Sequence, residues 1–337
     1  HCYVIATVNT QDKLVIRHHG EIMFDDSRTV LHRWWAETSY RLQALRDNAE
    51  CAKQEFDIIM DVDDPGLNAT VSFDWSGSAP MINTSSPRVA VLREQGVNGQ
   101  AEMAAAFMHA GFQAVDINMS DLLAGKTLDE FSALAVCGGF SYGDVLGAGR
   151  GWAQTILHNP KLFDEFSRFF QRGDTTTLGV CNGCQMLSHL KSLIPGAQHW
   201  PTFTKNHSQQ FEARLITLKI EETASQFFDG MQGSFLPVVV SHAEGRVAYQ
   251  QGMDGESAQV AARYVDNYHR VTTEYPYNPN GSLSAEAAFT SDDGRATILM
   301  PHPERVFRLS QLSWSPDEWQ TLGQVYSPWI KAFQNLM

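Results

Sequence analysis

The chain has 337 residues, 43% of them hydrophobic and 19% charged, and its 25 basic and 38 acidic residues leave a net charge of −13. That is enough apolar material for a sizeable core, which excludes wholesale disorder, and the length suits about two domains of roughly 150 residues each. The acidic balance lacks the basic face that nucleic acid or an anionic membrane requires, and no apolar run approaches the ~20 residues that cross a bilayer, so neither partner is expected.

Five cysteines (Cys2, Cys51, Cys137, Cys181 and Cys184) are too few and too unevenly spaced for a disulfide framework. No signal peptide is visible at His1-Cys2-Tyr3, so a reducing cytoplasm is the expected compartment. The start also lacks an initiator methionine, which fits either removal of a tag or processing of the N-terminus, or a piece cut from a longer polypeptide.

Residues 1–80 differ from the rest. Tyr3-Val4-Ile5-Ala6 and Lys13-Leu14-Val15-Ile16 are predicted as short strands, but two strands make no core. A helix follows, on which Leu31, Trp34, Trp35, Leu42 and Leu45 fall near one face. The tryptophans need a partner surface that this segment does not supply, so 1–80 is expected to be the tail of a larger domain. Asp61, Asp63 and Asp64 lack the ordered spacing of a calcium loop and read as a solvated turn. Around Ser76-Gly77-Ser78-Ala79-Pro80 the text turns small and polar, and it stays so to Pro87. A linker is expected at 81–87, with a second domain over 88–337.

From Arg88 strand and helix alternate. Arg88-Val89-Ala90-Val91-Leu92 reads as a buried strand, 98–110 as an alanine-rich helix stopped by Gly111, and 112–118 as a second strand. Ala133-Leu134-Ala135-Val136-Cys137 is a third strand, helical text fills 152–172, and Thr177-Leu178-Gly179-Val180 runs straight into Cys181 and a helix over 182–191. Such an order implies a parallel sheet covered on both faces. Further strands are expected at 211–220, 236–240, 261–265 and 295–300.

Three features carry chemistry. Gly179-Val180-Cys181-Asn182-Gly183 sets a cysteine on a strand-to-helix turn, the thiol form of a nucleophile elbow, where the helix N-terminus favours an anion. Met300-Pro301-His302-Pro303-Glu304 follows a strand, and its prolines keep it extended. His302 and Glu304 therefore share a face and can act as a base and the carboxylate that orients it. Cys137-Gly138-Gly139-Phe140-Ser141-Tyr142-Gly143 has the glycines that free backbone N–H groups for an oxyanion, with Gly139 or Gly138 supplying one donor and Asn182 the other. The loop has no Gly-Lys-Ser/Thr, so phosphate binding is not indicated.

Cys181 in the elbow, Gln185 four residues on, the Gly138-Gly139 loop and the late His302-Pro303-Glu304 together resemble the class I (triad) glutamine amidotransferases. Gly138 to Asp144, Gly179 to Gln185, Phe211-Glu212-Ala213-Arg214, Ser241-His242-Ala243-Glu244-Gly245-Arg246, Arg263 to Asn267 and Pro301 to Val306 narrow the match. They are similar to the amidotransferase end of the large purine-pathway synthases that amidate formylglycinamide ribonucleotide. Trp34-Trp35-Ala36-Glu37-Thr38-Ser39-Tyr40 resembles the end of their synthetase region.

The resemblance implies a flavodoxin-like α/β fold, a doubly wound and mostly parallel sheet, preceded by a small α+β remnant. It implies glutamine as substrate, Cys181 as nucleophile forming a γ-glutamyl thioester, His302 moving protons, Glu304 holding its ring and Gln185 touching the glutamine. It implies no cofactor in this chain. ATP and magnesium would belong to a synthetase domain of the same polypeptide that accepts the ammonia. His242 and Glu244 mimic a second base–carboxylate pair, which the resemblance puts in a substrate-side or interface loop. Two rivals remain at this point. Cys181 and Cys184 form a C-x-x-C that, with Cys137 and a histidine, could hold zinc or do redox chemistry. A cysteine hydrolase or peptidase on the same fold is the other.

Overall fold

A computed structural model of the chain describes residues 2–75, 82–249, 258–321 and 325–337. Residues 76–81, where the expected linker begins, lie outside the described residues. The first elements are a hairpin of β1 (Lys13–His18) and β2 (Glu21–Ser27), then α1 (Arg28–Arg46) and α2 (Ala49–Asp57). Ser27 caps α1 by accepting from Thr29 N, and Asn48 caps α2 in the same way, which settles where the chain turns helical. Residues 3–6, expected as a strand, lie outside any strand; their apolar side chains face solvent, so burial gives no reason for them to pair.

The N-terminal segment divides in two. On α1, Trp34, Trp35, Leu42 and Leu45 are 61%, 82%, 63% and 86% exposed, so none of the described residues covers that face. The rest docks on the body that follows. Gln54 Oε1 accepts from Tyr275 N at 2.9 Å and Glu55 pairs with Arg214 at 3.2 Å. The acidic turn is the clasp of this docking: Asp61 accepts from the Tyr268 hydroxyl, and Asp64 from Asn267 Nδ2 and the Tyr277 hydroxyl. Val71 and Phe73 then pack on the main core, and Trp75 Nε1 donates to Tyr326 O.

The body begins with β3 (Arg88–Arg93), α3 (Gln100–Ala110) and β4 (Gln113–Asn118), with Gly111 in the left-handed region at the end of α3. Next come α4 (Met119–Leu123), β5 (Ala133–Val136), α5 (Arg150–Leu157), α6 (Pro160–Gln171), β6 (Thr176–Val180) and α7 (Asn182–His189). The single helical stretch expected over 152–172 is two helices. Asn159 accepts from Lys161 N and Leu162 N while Pro160 opens α6, so the old helix ends and a capped one starts.

The remaining strands are β7 (Thr202–Thr204), β8 (Glu212–Ile220), β9 (Phe235–His242), β10 (Arg246–Ala248), β11 (Val260–Val265), β12 (Glu286–Thr290) and β13 (Ala296–Leu299). α8 (Asp317–Thr321) and α9 (Trp329–Gln334) follow them. Nine strands form one sheet in the order β4-β3-β5-β6-β13-β12-β11-β8-β9. The first five are mutually parallel in flavodoxin-like order, while every pairing from β13 to β9 is antiparallel. The sheet is thus mixed, with the doubly wound part at one end.

Helix α3 packs on β3 and β4 with α9 beside it, while α5 packs on α6 and α7, and α7 on β5 and β6. Right-handed crossovers, the rule for parallel strands, would put these two groups on opposite faces. The antiparallel half returns until its last strand meets the chain three residues beyond β13: Val239 on β9 bridges His302, whose N–H donates to Val239 O at 2.9 Å. No helix among the described residues is long and apolar enough to cross a membrane.

Candidate active site

Neighbouring strands deliver the expected residues to one place. β5, β6 and β13 lie side by side, and each leads into one part of the site at its carboxyl end: the Gly138-Gly139 loop, the Cys181 turn and His302. Cys181 N donates to Leu299 O at 2.9 Å, which continues the β6–β13 pairing into the turn itself.

Cys181 has φ 53° and ψ −111°, a conformation that costs a side chain about 1–3 kcal/mol and survives only where surroundings over-determine it. What determines it here is the close approach of α7 to β5. A Cβ on Gly183 would collide with the Val136 carbonyl. Gly183→Ala is therefore expected to destabilise the protein by about 1–3 kcal/mol or more and to displace the elbow, read as a lower urea midpoint together with lost activity.

The thiol of Cys181, 5% exposed, points to Ser241 O at 3.6 Å. His302 and Glu304 are fully buried, and the imidazole Nδ1 lies 2.6 Å from Glu304 Oε1. Burial opposes a charge on His302. The Glu304 carboxylate and the Cys181 sulfur outweigh it and push the imidazole up to about 9. Its Nε2 is buried with no hydrogen-bond partner among the described residues, so that nitrogen can serve a thiol, a leaving amine or a water.

Gly138 sits against both: a Cβ there would lie 2.8 Å from His302 Cε1 and 3.3 Å from Cys181 Cβ. Its carbonyl accepts from Asn98 N and Gly99 N at 3.3 and 3.0 Å. Because the following peptide is planar and trans, the Gly139 N–H must face the opposite way. Such a group, with the Asn182 N–H at the start of α7, can stabilise an oxyanion formed beside Cys181.

Gln185 is deployed inside the protein. Its Nε2 donates to Glu244 O and its Oε1 accepts from Asn182 Nδ2 at 3.3 Å. The apparent His242–Glu244 pair is split: neither ring nitrogen of His242 has a hydrogen-bond partner among the described residues, whereas Glu244 Oε2 accepts from Ala148 N at 3.2 Å. Burial, and then His302, hold His242 down to about 3, so it is neutral.

Among the described residues, Cys181, Cys184 and Cys137 do not gather with a histidine into a group able to hold a metal ion. Cys184 and Cys137 are buried in the core, and burial first of all raises both thiols well above their ordinary value. Beside the site is a cavity of about 400 Å³ whose lining includes Gly147, Ala148, Arg150, Thr204 and Glu244. The contacts of Ser241 O with the thiol and of the Asn182 side chain with Ser141 N had no signal in the sequence, because they join residues 60 and 41 positions apart in the chain.

A glycine-flanked cysteine turn, a buried His–Glu pair and an N–H-rich loop thus meet at the carboxyl edge of the parallel strands of an α/β fold. Residues 86–337 match the CobB/CobQ-like glutamine amidotransferase domain family, and the chain belongs to it. It is a glutamine amidotransferase.

Among solved structures, a chain of PurLQS from Thermotoga maritima is similar at 23% identity and TM-score 0.56, over 74% of this chain and 97% of that one. A GMP synthase–like protein from Thermoplasma acidophilum is similar at 12% identity and TM-score 0.44, over 75% and 94% of the two chains. A glutamine amidotransferase from Thermotoga maritima is similar at 17% identity and TM-score 0.38, over 65% and 76%. The first of these likenesses shows the shared fold.

Proposed function

We propose that this chain is the glutaminase part of phosphoribosylformylglycinamidine synthase in its large, purine-pathway form. The observation that carries the reading is the buried His302–Glu304 pair beside the Cys181 elbow. Cys181 attacks the side-chain amide carbon of glutamine, and the N–H groups of Asn182 and Gly139 (or Gly138) hold the oxyanion. The C–N bond then breaks, His302 gives the nitrogen a proton, and ammonia leaves a γ-glutamyl thioester. Water, deprotonated by His302, attacks the thioester, and glutamate leaves as the thiol is regenerated. Glu304 holds the imidazole throughout.

The neighbouring cavity carries both Arg150 and Glu244 in its lining, which suits the zwitterionic head of a free amino acid better than a peptide. Gln185, tied through its amide to Asn182 and to Glu244 O, is a contact for the glutamine head group at that wall.

The ammonia acceptor belongs to a synthetase portion of the same polypeptide, which uses ATP and magnesium and works in the cytoplasm. Residues 1–80 are the tail of that portion, joined through 81–87 to the amidotransferase domain at 88–337. The exposed apolar face of α1, with a groove of about 570 Å³ beside it that Val8, Leu14, Leu31 and Trp35 help to line, is where it docks. Docking completes the glutaminase site as a conformational gate, so that glutamine is not wasted when no acceptor is bound. The chain alone is expected to hydrolyse glutamine slowly, and added synthetase with ATP, magnesium and formylglycinamide ribonucleotide should raise the rate. A chain that cleaves peptides but not glutamine would sink the reading, and equal rates with and without synthetase would remove the gate.

A further inference from the structure

The side chain of Asn182, fully buried beside the nucleophile, makes three hydrogen bonds within the protein. Its Oδ1 accepts from Ser141 N at 3.1 Å, and its Nδ2 donates to Asp144 Oδ1 at 3.4 Å and to Gln185 Oε1 at 3.3 Å. Ser141 and Asp144 belong to the loop that follows Gly138 and Gly139. The other side of that loop is held by different partners: Phe140 N donates to Gly96 O and Tyr142 N to Gln95 O, both at 2.9 Å. Ser141 N lies between these two donors and is turned the other way, towards Asn182. The loop also contains Tyr142 at φ 53° and Asp144 at φ 56°, conformations that need ties on both sides.

The ties extend further. Gln185, which accepts from Asn182, donates to Glu244 O, and the Glu244 carboxylate accepts from Ala148 N at the far end of the same loop. A single network rooted in the first turn of α7 thus grips the segment after β5 at both ends.

We propose that Asn182 is a positioning residue whose side chain ties the loop after β5 to the Cys181 turn, so that the N–H groups of Gly139 and Asn182 keep one fixed spacing around the oxyanion. This rests on the triad reading above and deepens it. The two donors come from the ends of different strands, and nothing in β5 or β6 alone sets the distance between them. Hydrogen bonds weaken steeply with misalignment, and a donor misplaced by about 1 Å forfeits much of its effect on a transition state. Asn182 supplies one donor from its backbone and fixes the other through its side chain.

Asn182→Ala keeps the backbone donor and removes the tie. Its kcat for glutamine should fall about 10- to 100-fold, below the loss expected for deleting a donor outright, with KM little changed. Alkylation of Cys181 by iodoacetamide is a displacement at saturated carbon that forms no oxyanion, so its rate should stay at the wild-type value. Asn182→Asp sets a carboxylate against Asp144 and should also lose kcat. Combining it with Asp144→Asn exchanges donor and acceptor, restores the bond, and should recover part of the loss; this pair decides the matter if the alanine variant does not fold.

An unchanged kcat in Asn182→Ala overturns the proposal. So does a parallel fall in alkylation and kcat, which marks a merely structural residue, or a double variant no better than Asn182→Asp. Failure of the triad reading shows separately, as a wild-type protein that gives no γ-glutamyl adduct at Cys181.

Discussion

Cys181→Ala should abolish ammonia release from glutamine, a loss of roughly 10⁴-fold or more, while the fold stays intact. The expectation follows from the uneven environments of the thiols. Cys137 and Cys184 lie in the core and are held as thiols by burial, and burial pushes the Cys51 thiol up to about 11. Cys181 alone sits on an elbow beside an imidazole that burial cannot keep neutral.

A glutamine-like alkylator should therefore label Cys181 first, and free glutamine should protect it. Cys2 is exposed and can react with a general alkylator, so the diagnostic is protection by glutamine, read by peptide mapping. Faster, glutamine-protected labelling at Cys184 would overturn the elbow assignment.

Glu304→Gln should reduce turnover by roughly 10²- to 10⁴-fold, less than loss of Cys181 or His302, because the carboxylate orients and stabilises the imidazolium but takes no proton. The pH profile gives a second readout. With His302 raised to about 9, the proposed mechanism expects a basic limb of activity there, because the imidazolium that would protonate departing ammonia is present below that pH and lost above it. Removing Glu304 takes away the chief raising influence, so the limb should move to lower pH. The stability linkage has the same sign. A folded-state value above the unfolded one contributes stability in full below roughly pH 6.5 and loses it as pH rises through the folded value. Wild-type turnover and an unmoved limb in Glu304→Gln would remove it from the triad.

Much of this was legible from local pattern. The strand Arg88-Val89-Ala90-Val91-Leu92 and the run into Cys181 could be placed because buried parallel strands read as continuous apolar text. The stop of α3 at Gly111 could be placed because the left-handed cap there suits glycine. The Asn159-Pro160 break was missed, although a cap followed by proline is a local signal. β2, β12 and the short β7 and β10 were missed as well. β12 is buried along its whole length, so its alanine-rich text carries no alternation.

By itself the sequence determined the parallel αβ core, the cysteine on a glycine-flanked turn, and a histidine and glutamate two residues apart after a strand, because each depends on neighbours within a few positions. The extended chain expected at 301–304 is instead a 3-10 turn over Pro303–Arg305, because Pro303 suits the first helical position and Arg305 N bonds back to His302 O. Only the tertiary structure decided how these parts meet. The strand order β5-β6-β13 sets three loops side by side, and the antiparallel half returns β9 to His302 and puts Ser241 O at the thiol. It also separated His242 from Glu244, and it turned the amides of Asn182 and Gln185 inward to hold the loop after β5. Strand order and side-chain partnership are set by packing between segments tens of residues apart, for which no spacing along the chain is a signal.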